Sequence, residues 1–525
     1  MDLTKFNNNR DEYYDDGIEP DDNLTTCQFK ALTYILHWYH TPNVYFCTLA
    51  GAAGTGKSFL SREILGKINS RTAVVSAPTH KALENVINAS GRPGKTLHSL
   101  LGIAPDKDLE NFDPIKNEFK AINEPKIKDY SLILLDEASM VNDSLREYLQ
   151  DLAIEHGTKI LYVGDKCQIP PVNEISSSVF DANNIDGGIV TLNTPVRQSV
   201  SNPYFPFLLA DRSDIEQTPE AYRTLCDVLE NQKLLTDELL LALGADVPNT
   251  YHTLRKFLKP HRTNEAGEGY AFTTNAAAFN DLLGTKHKQY FNNENYQGVR
   301  SLAYKNDTVK QYNDFIKGIL RPNDNNIVAI GDFLMCYRPI TTWDRTTRSA
   351  VTILNNSAEV IVKDIQRVVS EAGIEVYRTM LHSVNGKVKH VVDFVKPDDY
   401  NKYLYDFMKY KNEGIKRRQW KNFYDFYDKH LIMDNLAKRF DNKQYPDRSF
   451  DQAHALTVHK SQGSTYIETF VDMNDLLEYY NIQRNILHYQ GEWNAETEAI
   501  HLRITRQLRY VASSRAKKFT YFLTS

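Results

Sequence analysis

The chain is poor in cysteine. Among 525 residues there are five, Cys27, Cys47, Cys167, Cys226 and Cys336, odd in number and scattered. Their spacing fits neither a zinc site nor a disulfide framework, which excludes a cross-linked secreted scaffold and suits a reducing compartment. Long apolar runs are missing as well. The longest candidates, such as residues 238–245, are short and interrupted, against the roughly 20 residues needed to span a bilayer, so no membrane partner is expected. The N-terminal stretch MDLTKFNNNRDEYYDDGIEPDDN is acidic and has no hydrophobic signal region, so export is not expected and a cytoplasmic location is. Nor is there an excess of positive charge: the net is −5 and the pI about 6.3, which argues against a surface coated uniformly in nucleic acid. Locally the balance reverses. Residues 401–448 carry twelve Lys or Arg against seven Asp or Glu, interleaved with Tyr, Phe and Trp, and a groove needs only a local basic lining. The sequence has no internal repeat.

What is there is ordinary in bulk and specific in detail. A chain 41% hydrophobic and 25% charged has ample core for two to four domains. Residues 1–23 read as a flexible acidic tail. From 24 to 198, strand and helix patterns alternate, with strands expected at 44–50, 72–77, 132–136 and 159–164, each ending in a polar or glycine-containing turn. That rhythm is the α/β pattern of a parallel sheet. A polar, Pro-containing stretch at about 91–128 interrupts it as a small insertion. Residues 199–364 form the first part of a second α/β domain, helical and less readable at first. In that part 327–337 and 359–368 read as strands of the second sheet or as the base of another insertion. Residues 365–447 lack βα alternation and read as an inserted accessory domain, and 448–525 close the second domain.

The most telling segment is 51–58, GAAGTGKS, between a β-branched and aromatic run and an amphipathic one. Gly51, Gly54 and Gly56 let the backbone curl around Ala52, Ala53 and Thr55, so that successive N–H groups and a helix N-terminus face phosphate. Lys57 can reach the β- and γ-phosphates, and the Ser58 hydroxyl can hold Mg²⁺. A nucleoside triphosphate and Mg²⁺ are therefore the expected cofactors. Downstream, the apolar run 132–135 ends in Asp136 and Glu137. A nucleotide hydrolase needs such a pair, one acid to complete the Mg²⁺ shell and one to orient and deprotonate water. A third strand leads into 164–171, GDKCQIPP, where the Gln168 amide can meet the γ-phosphate or the lytic water.

These motifs, in this order, resemble those of superfamily 1 helicases, and the rest of the chain extends the likeness. Pro78-Thr79-His80 and Thr96-Leu97-His98-Ser99 are similar to the family's first DNA-contacting loops. Thr457-Val458-His459-Lys460-Ser461-Gln462-Gly463 resembles the motif at the second domain's cleft edge, and 509–516, RYVASSRA, its final helix motif. Leu24-Thr25-Thr26-Cys27-Gln28 is similar to the adenine-reading segment, although Gln28 also reads as a polar residue at a helix start. Further patterns at 267–270, 302–306 and 410–422 point to the RecD-like branch, superfamily 1B, and within it to the Dda-like bacteriophage helicases. The likeness covers most of 24–525, leaving out the tail and about 213–260.

The resemblance implies two RecA-like P-loop NTPase domains closing on ATP, a β-hairpin insertion in the first and an SH3-like β tower in the second. It implies 5′–3′ translocation on single-stranded DNA and unwinding of duplex DNA in replication, recombination or repair. Catalysis would use Lys57, Asp136, Glu137, Gln168 and two arginine fingers, Arg197 and Arg515; Gln28 and Gly463 would join 51–58 in holding ATP, with Mg²⁺ on Ser58 and Asp136. A guanidinium suits a finger because it stays charged and bridges two phosphate oxygens. Pro78, Thr79, His80, Thr96, His98, Ser99, Thr457 and His459 would grip the sugar–phosphate backbone without reading sequence; His98 and His459 read equally well as buried loop histidines. Phe119 resembles the hairpin's strand-separating tip, with Phe112 its rival. The implied partners are single strands and single/double-strand junctions, and beyond these single-strand-binding or replication proteins. A monomer is expected, in the cytoplasm of a bacterial host if a bacteriophage encodes it. Two other readings stay open: a RecD-like motor subunit that depends on a partner complex, and an RNA-directed or non-unwinding translocase.

Overall fold

Apolar residues on both faces of short β-branched runs place the first sheet. The computed structural model describes residues 23–68, 71–103, 124–171, 174–193, 201–245, 248–324, 326–344, 349–386 and 388–525. They form two compact units, one holding the chain up to Phe279 with Leu302–Tyr304 and Thr457–Ser525, the other Asn280–Ser301 and Lys305–Leu456. The first unit starts with helix α1 (Thr26–His40) and strand β1 (Phe46–Gly51), followed by α2 (Lys57–Ile68), β2 (Ala73–Ala77), α3 (His80–Ser90), β3 (Gly94–Thr96) and α4 (Leu97–Leu101). Next come β4 (Leu132–Leu135), α5 (Asp143–His156), β5 (Lys159–Gly164) and β6 (Ile189–Leu192). All six strands are parallel, in the order β3-β2-β4-β5-β1-β6.

Successive strand residues point to opposite faces, so β4 serves two cores at once. Leu132 and Leu134 pack with Leu49, Val75 and the inner sides of α1, α2 and α3. Ile133 and Leu135 pack with Tyr162 and with α4 and α5. A parallel sheet covered on both sides needs such continuous apolar strands. The four strands expected from sequence in this region are present. Strands β3 and β6 were not expected; β3 has three residues, too few to carry a period.

Helices α6 (Phe205–Glu216), α7 (Pro219–Asn231), α8 (Asp237–Ala245) and α9 (Thr250–Phe257) follow, then β7 (His261–Thr263) and β8 (Gly269–Thr273). The segment 213–260, outside the family likeness, is thus mainly α7, α8 and α9. Helix α10 (Ala276–Asn292) and strand β9 (Val299–Ala303) lead to the second unit and to α11 (Asn306–Leu320). There the pattern turns antiparallel. Strands β10 (Phe333–Cys336), β11 (Ile340–Asp344), β12 (Ser349–Leu354), β13 (Glu359–Val369), β14 (Glu375–Ser383) and β15 (Lys389–Val395) precede α12 (Tyr400–Arg417) and α13 (Lys421–Lys429). After them come β16 (His430–Leu431), α14 (Leu436–Arg439) and β17 (Phe450–Gln452).

The second unit's main sheet runs β16-β15-β14-β13-β10-β17, antiparallel except for β15 with β16. It draws strands from both sides of the interval 365–447. Tyr403, Phe407 and Phe426 are buried among the helices beside it, whereas Tyr405, Trp420, Tyr424 and Phe440 stand exposed. The basic segment's aromatics therefore divide between core and surface. The chain returns through β18 (Ala455–Thr457), β19 (Tyr466–Asp472), α15 (Met473–Gln490), α16 (Ala495–Ser513) and β20 (Ala516–Leu523). These strands give a sheet ordered β18-β9-β19-β20-β8-β7, in which β19, β20 and β8 are parallel and β7 is antiparallel to β8. Among the described residues no helix is long and apolar enough to cross a membrane.

Candidate nucleotide and nucleic-acid site

The phosphate loop leaves β1 at Gly51 and enters α2 at Lys57, at the carboxyl edge of the parallel sheet, where ligands of such sheets bind. Gly54 and Gly56 take φ of 86° and 83°, a region in which a side chain is strained. Thr55 closes the loop by donating from its hydroxyl to Ala52 O at 2.9 Å. The Lys57 ammonium is folded back onto the carbonyls of Gly51 and Ala52, at 2.9 and 3.0 Å. Ser58 is exposed on the first turn of α2.

Gln28 reaches this loop from α1. Its Nε2 donates to Thr55 O at 3.1 Å, and its Oε1 accepts from Thr25 N at 3.0 Å, completing a capping box with the Thr25 side chain. The helix-start reading of Gln28 therefore describes its position, and its amide also ties α1 to the phosphate loop.

The acidic pair follows β4. Asp136 N donates to Ser76 O at 2.9 Å, and Asp136 Oδ1 accepts from Glu137 N at 2.9 Å. Withdrawal from water, with the charge of Glu137 in addition, pushes the Asp136 carboxyl up to about 7, against the opposing pull of Lys57. Glu137 holds a left-handed backbone, φ 51°, ahead of the short turn Ala138–Met140. Strained residues of this kind gather at functional sites. Gly463, at φ 74°, lies close by: a Cβ there would stand 3.5 Å from Ala82 Cβ and 3.8 Å from Glu137 Oε1. Asn85 Nδ2 donates to Gly463 O.

Beside the loop sits a polar network that sequence reading passed over. Asp165, fully buried, accepts from Arg212 Nη1 at 2.8 Å and from the Tyr510 hydroxyl at 2.8 Å. Burial alone would raise its carboxyl; Arg212 first and Lys57 next outweigh that and hold it below the ordinary range. The Tyr510 oxygen accepts from Ala53 N at 3.2 Å and from Arg212 Nη1 at 3.2 Å. Gln507, one turn earlier on α16, donates to Gln168 O at 2.9 Å. The side-chain oxygens of Gln168 and Gln507 and the Gln462 amide nitrogen are buried without a hydrogen-bond partner among the described residues. Asp165 was readable as a carboxylate inside GDKCQIPP, and Tyr510 lay inside the RYVASSRA motif; nothing in the spacing pointed to Arg212.

Arg515 is buried, its guanidinium held by Val511 O at 3.0 Å, Ser514 Oγ at 2.9 Å and Ser464 O at 3.3 Å. Arg197, Phe112 and Phe119 lie outside the described residues. Of the residues expected on the nucleic-acid track, Thr79 and Thr96 cap helices: their hydroxyls accept from Ala82 N at 3.2 Å and Ser99 N at 3.3 Å. Thr457 accepts from Lys460 N at 3.2 Å. The Thr79 and Thr96 hydroxyls, accepting from amides, keep a hydrogen to donate to a phosphate oxygen. Pro78 and Thr79 end the turn after β2, and Ser99 is exposed on α4. Partial burial, and then the nearby charge of His98, lower the His80 pKa, so a neutral imidazole sits there. His459, part-exposed, lies 6.2 Å from the Tyr304 ring, centroid to centroid.

The phosphate-loop part of this site falls within a stretch similar to known proteins. Residues 40–174 match the AAA domain family. Over 128 residues the chain is 35% identical to the ATP-dependent RecD2 DNA helicase of Deinococcus radiodurans, a stretch covering 24% of this chain and 16% of that one. Over 162 residues it is 30% identical to the ATP-dependent DNA helicase dda of Enterobacteria phage T4, covering 30% of this chain and 35% of that one. Over these stretches the chain is similar to ATP-dependent DNA helicases. A protein of Acanthamoeba polyphaga mimivirus, itself uncharacterised, matches more widely, at 24% identity over 490 residues, 82% of this chain and 90% of that one. The matches to these two helicases thus span no more than 35% of their length. The family match at 40–174 takes in the phosphate loop, the acidic pair and the Gln168 turn.

Proposed function

We propose that the chain is an ATP-driven DNA helicase that moves along a single strand and displaces its complement. The observation carrying this is the meeting of the acidic pair with the turn at Gly463, beside a phosphate loop whose Lys57 points at loop carbonyls it can exchange for phosphate oxygens. The donor set suits an ATP site: loop amides, an ammonium and the buried Gln462 amide nitrogen, which has no partner among the described residues. It suits Mg²⁺ too. Two adjacent carboxyl groups, one pushed up to about 7, are relieved by a cation. Among the described residues no cluster of three His, Cys, Asp or Glu could hold a metal alone, so the nucleotide's own oxygens would complete its shell. Ser58 and Asp136 would hold the ion, which supplies charge neutralisation at the β- and γ-oxygens when bound.

In this reading Lys57 binds the phosphates, and Glu137 takes the proton from the attacking water as its oxygen bonds the γ-phosphorus and the β–γ bridge breaks. Gln168 holds that water in line. Arg515, with Arg197, leaves its intramolecular partners to meet the charge on the transferring group. Gln28, through Thr55, sets the loop beside the base. Thr79, Thr96, Thr457 and the histidines beside them grip sugar–phosphate, Phe119 splits the duplex, and the antiparallel sheet of the second unit serves as the inserted tower. The 5′–3′ direction comes from the superfamily 1B likeness.

Purified chain, offered 5′-tailed and 3′-tailed duplexes with and without ATP, should separate the 5′-tailed one alone and need ATP to do so. Separation of neither tests out the autonomous motor in favour of a partner-dependent subunit or a non-unwinding translocase. Equal ATPase stimulation by single-stranded RNA would point to the RNA-directed reading.

A further inference from the structure

The Ala53 amide is one of the phosphate loop's N–H groups, yet in this structure it donates to the phenol oxygen of Tyr510, on α16. The bond is well supported. The phenol donates its own hydrogen to buried Asp165, which Arg212 holds ionised, and a hydroxyl that donates to a carboxylate becomes a better acceptor. Tyr510 is 2% exposed, so its phenol oxygen is shielded from water and is held by its protein partners. Helix α16 ends at Ser513, and Arg515 follows two residues later, its guanidinium held by the helix's own Val511 O.

A nucleotide's terminal phosphate oxygens and the Tyr510 oxygen therefore compete for one donor. We infer that Tyr510 is a positioning residue that reports occupancy of the phosphate loop to α16: phosphate takes the Ala53 N–H, the Tyr510 contact opens, and the end of the helix carrying Arg515 is freed to move. This rests on the nucleotide-site reading given above. The device makes nucleotide binding work against a native hydrogen bond, so affinity is lower than the loop alone would give, and the difference is spent on moving the helix.

Tyr510→Phe removes the hydroxyl while keeping the ring's packing. Calorimetry with Mg²⁺ and ATPγS should give a Kd about two- to tenfold lower than wild type, the fold-change of one net hydrogen bond. Damage to the fold would move it the other way, so an unchanged or weakened Kd overturns the inference. In the unaltered chain, hydrogen exchange should rise across residues 505–513 when ATPγS is added; constant or slower exchange there is equally fatal. Lys57→Ala is the control for the site itself. If that variant binds ATPγS as wild type does, the nucleotide-site reading has failed, whatever Tyr510 does.

Discussion

The proposed function gives Lys57 and Glu137 opposite jobs, and their variants should separate binding from chemistry. Lys57→Ala leaves the loop without the ammonium that bonds Gly51 O and Ala52 O. ATP turnover measured by phosphate release should vanish. Glu137→Gln keeps the side chain's size and its left-handed backbone but removes the proton acceptor. It should bind ATP at near wild-type affinity with turnover reduced by about 10² or more; turnover close to normal would strike Glu137 from the mechanism. At this scale legibility depends on where the partners lie. The loop, the acidic pair and Gln168 could be read because each is a local string after an apolar run. The Asp165–Arg212–Tyr510 network could not: its members are 47 and 345 residues apart, and no local period records such a meeting. Gln28 shows a third case: its helix-start position was readable, whereas its bond to the phosphate loop joins residues 27 apart.

At the scale of the element, β4 holds the acidic pair in place by burying all four of its side chains. Leu134 is fully buried against α1, α2 and α3, so Leu134→Ala leaves a cavity and should cost about 2–5 kcal/mol, read as a lower urea midpoint at unchanged slope. Strands such as β4 announce themselves, since four consecutive apolar residues bounded by polar ones fit little else. The antiparallel strands of the second unit do so less clearly. Strand β13 buries its first four residues and leaves much of the rest exposed, so half of it reads as core and half as surface. The two-residue β16 has no pattern to read at all.

For the molecule as a whole, acid should act unevenly. In the second unit His287 and His454 lie 5.6 Å apart, centroid to centroid, both buried beside Arg300. Burial foremost, then the neighbouring positive charges, pull the His454 pKa down to about 3 and that of His287 well below its ordinary value. The folded unit thus keeps them neutral, while the unfolded chain takes up protons below about pH 6.5. Stability held above that pH is lost as pH falls toward 3, by about 1 kcal/mol per histidine on reaching pH 5.5. Thermal melting at pH 7.5 and 5.5 should show the transition of the second unit moving down, and His454→Gln should remove part of the shift. Division into several folded parts was legible from length and alternation. The place where one unit gives way to the other inside β9 and β18 was not, because a strand's sequence does not record which neighbours its two halves will keep.

The five thiols described at the outset differ in their reach. Cys47, Cys167 and Cys336 are buried, leaving Cys27 and Cys226 partly open to reagents. Cys27 Sγ donates to Thr191 O at 3.6 Å and is followed in the chain by Gln28, whose amide touches the phosphate loop. A maleimide dye coupled there would break the Thr191 contact on the helix that carries Gln28, whereas Cys226 sits on α7. Optical studies of this chain therefore begin with Cys27 replaced and Cys226 as the native handle.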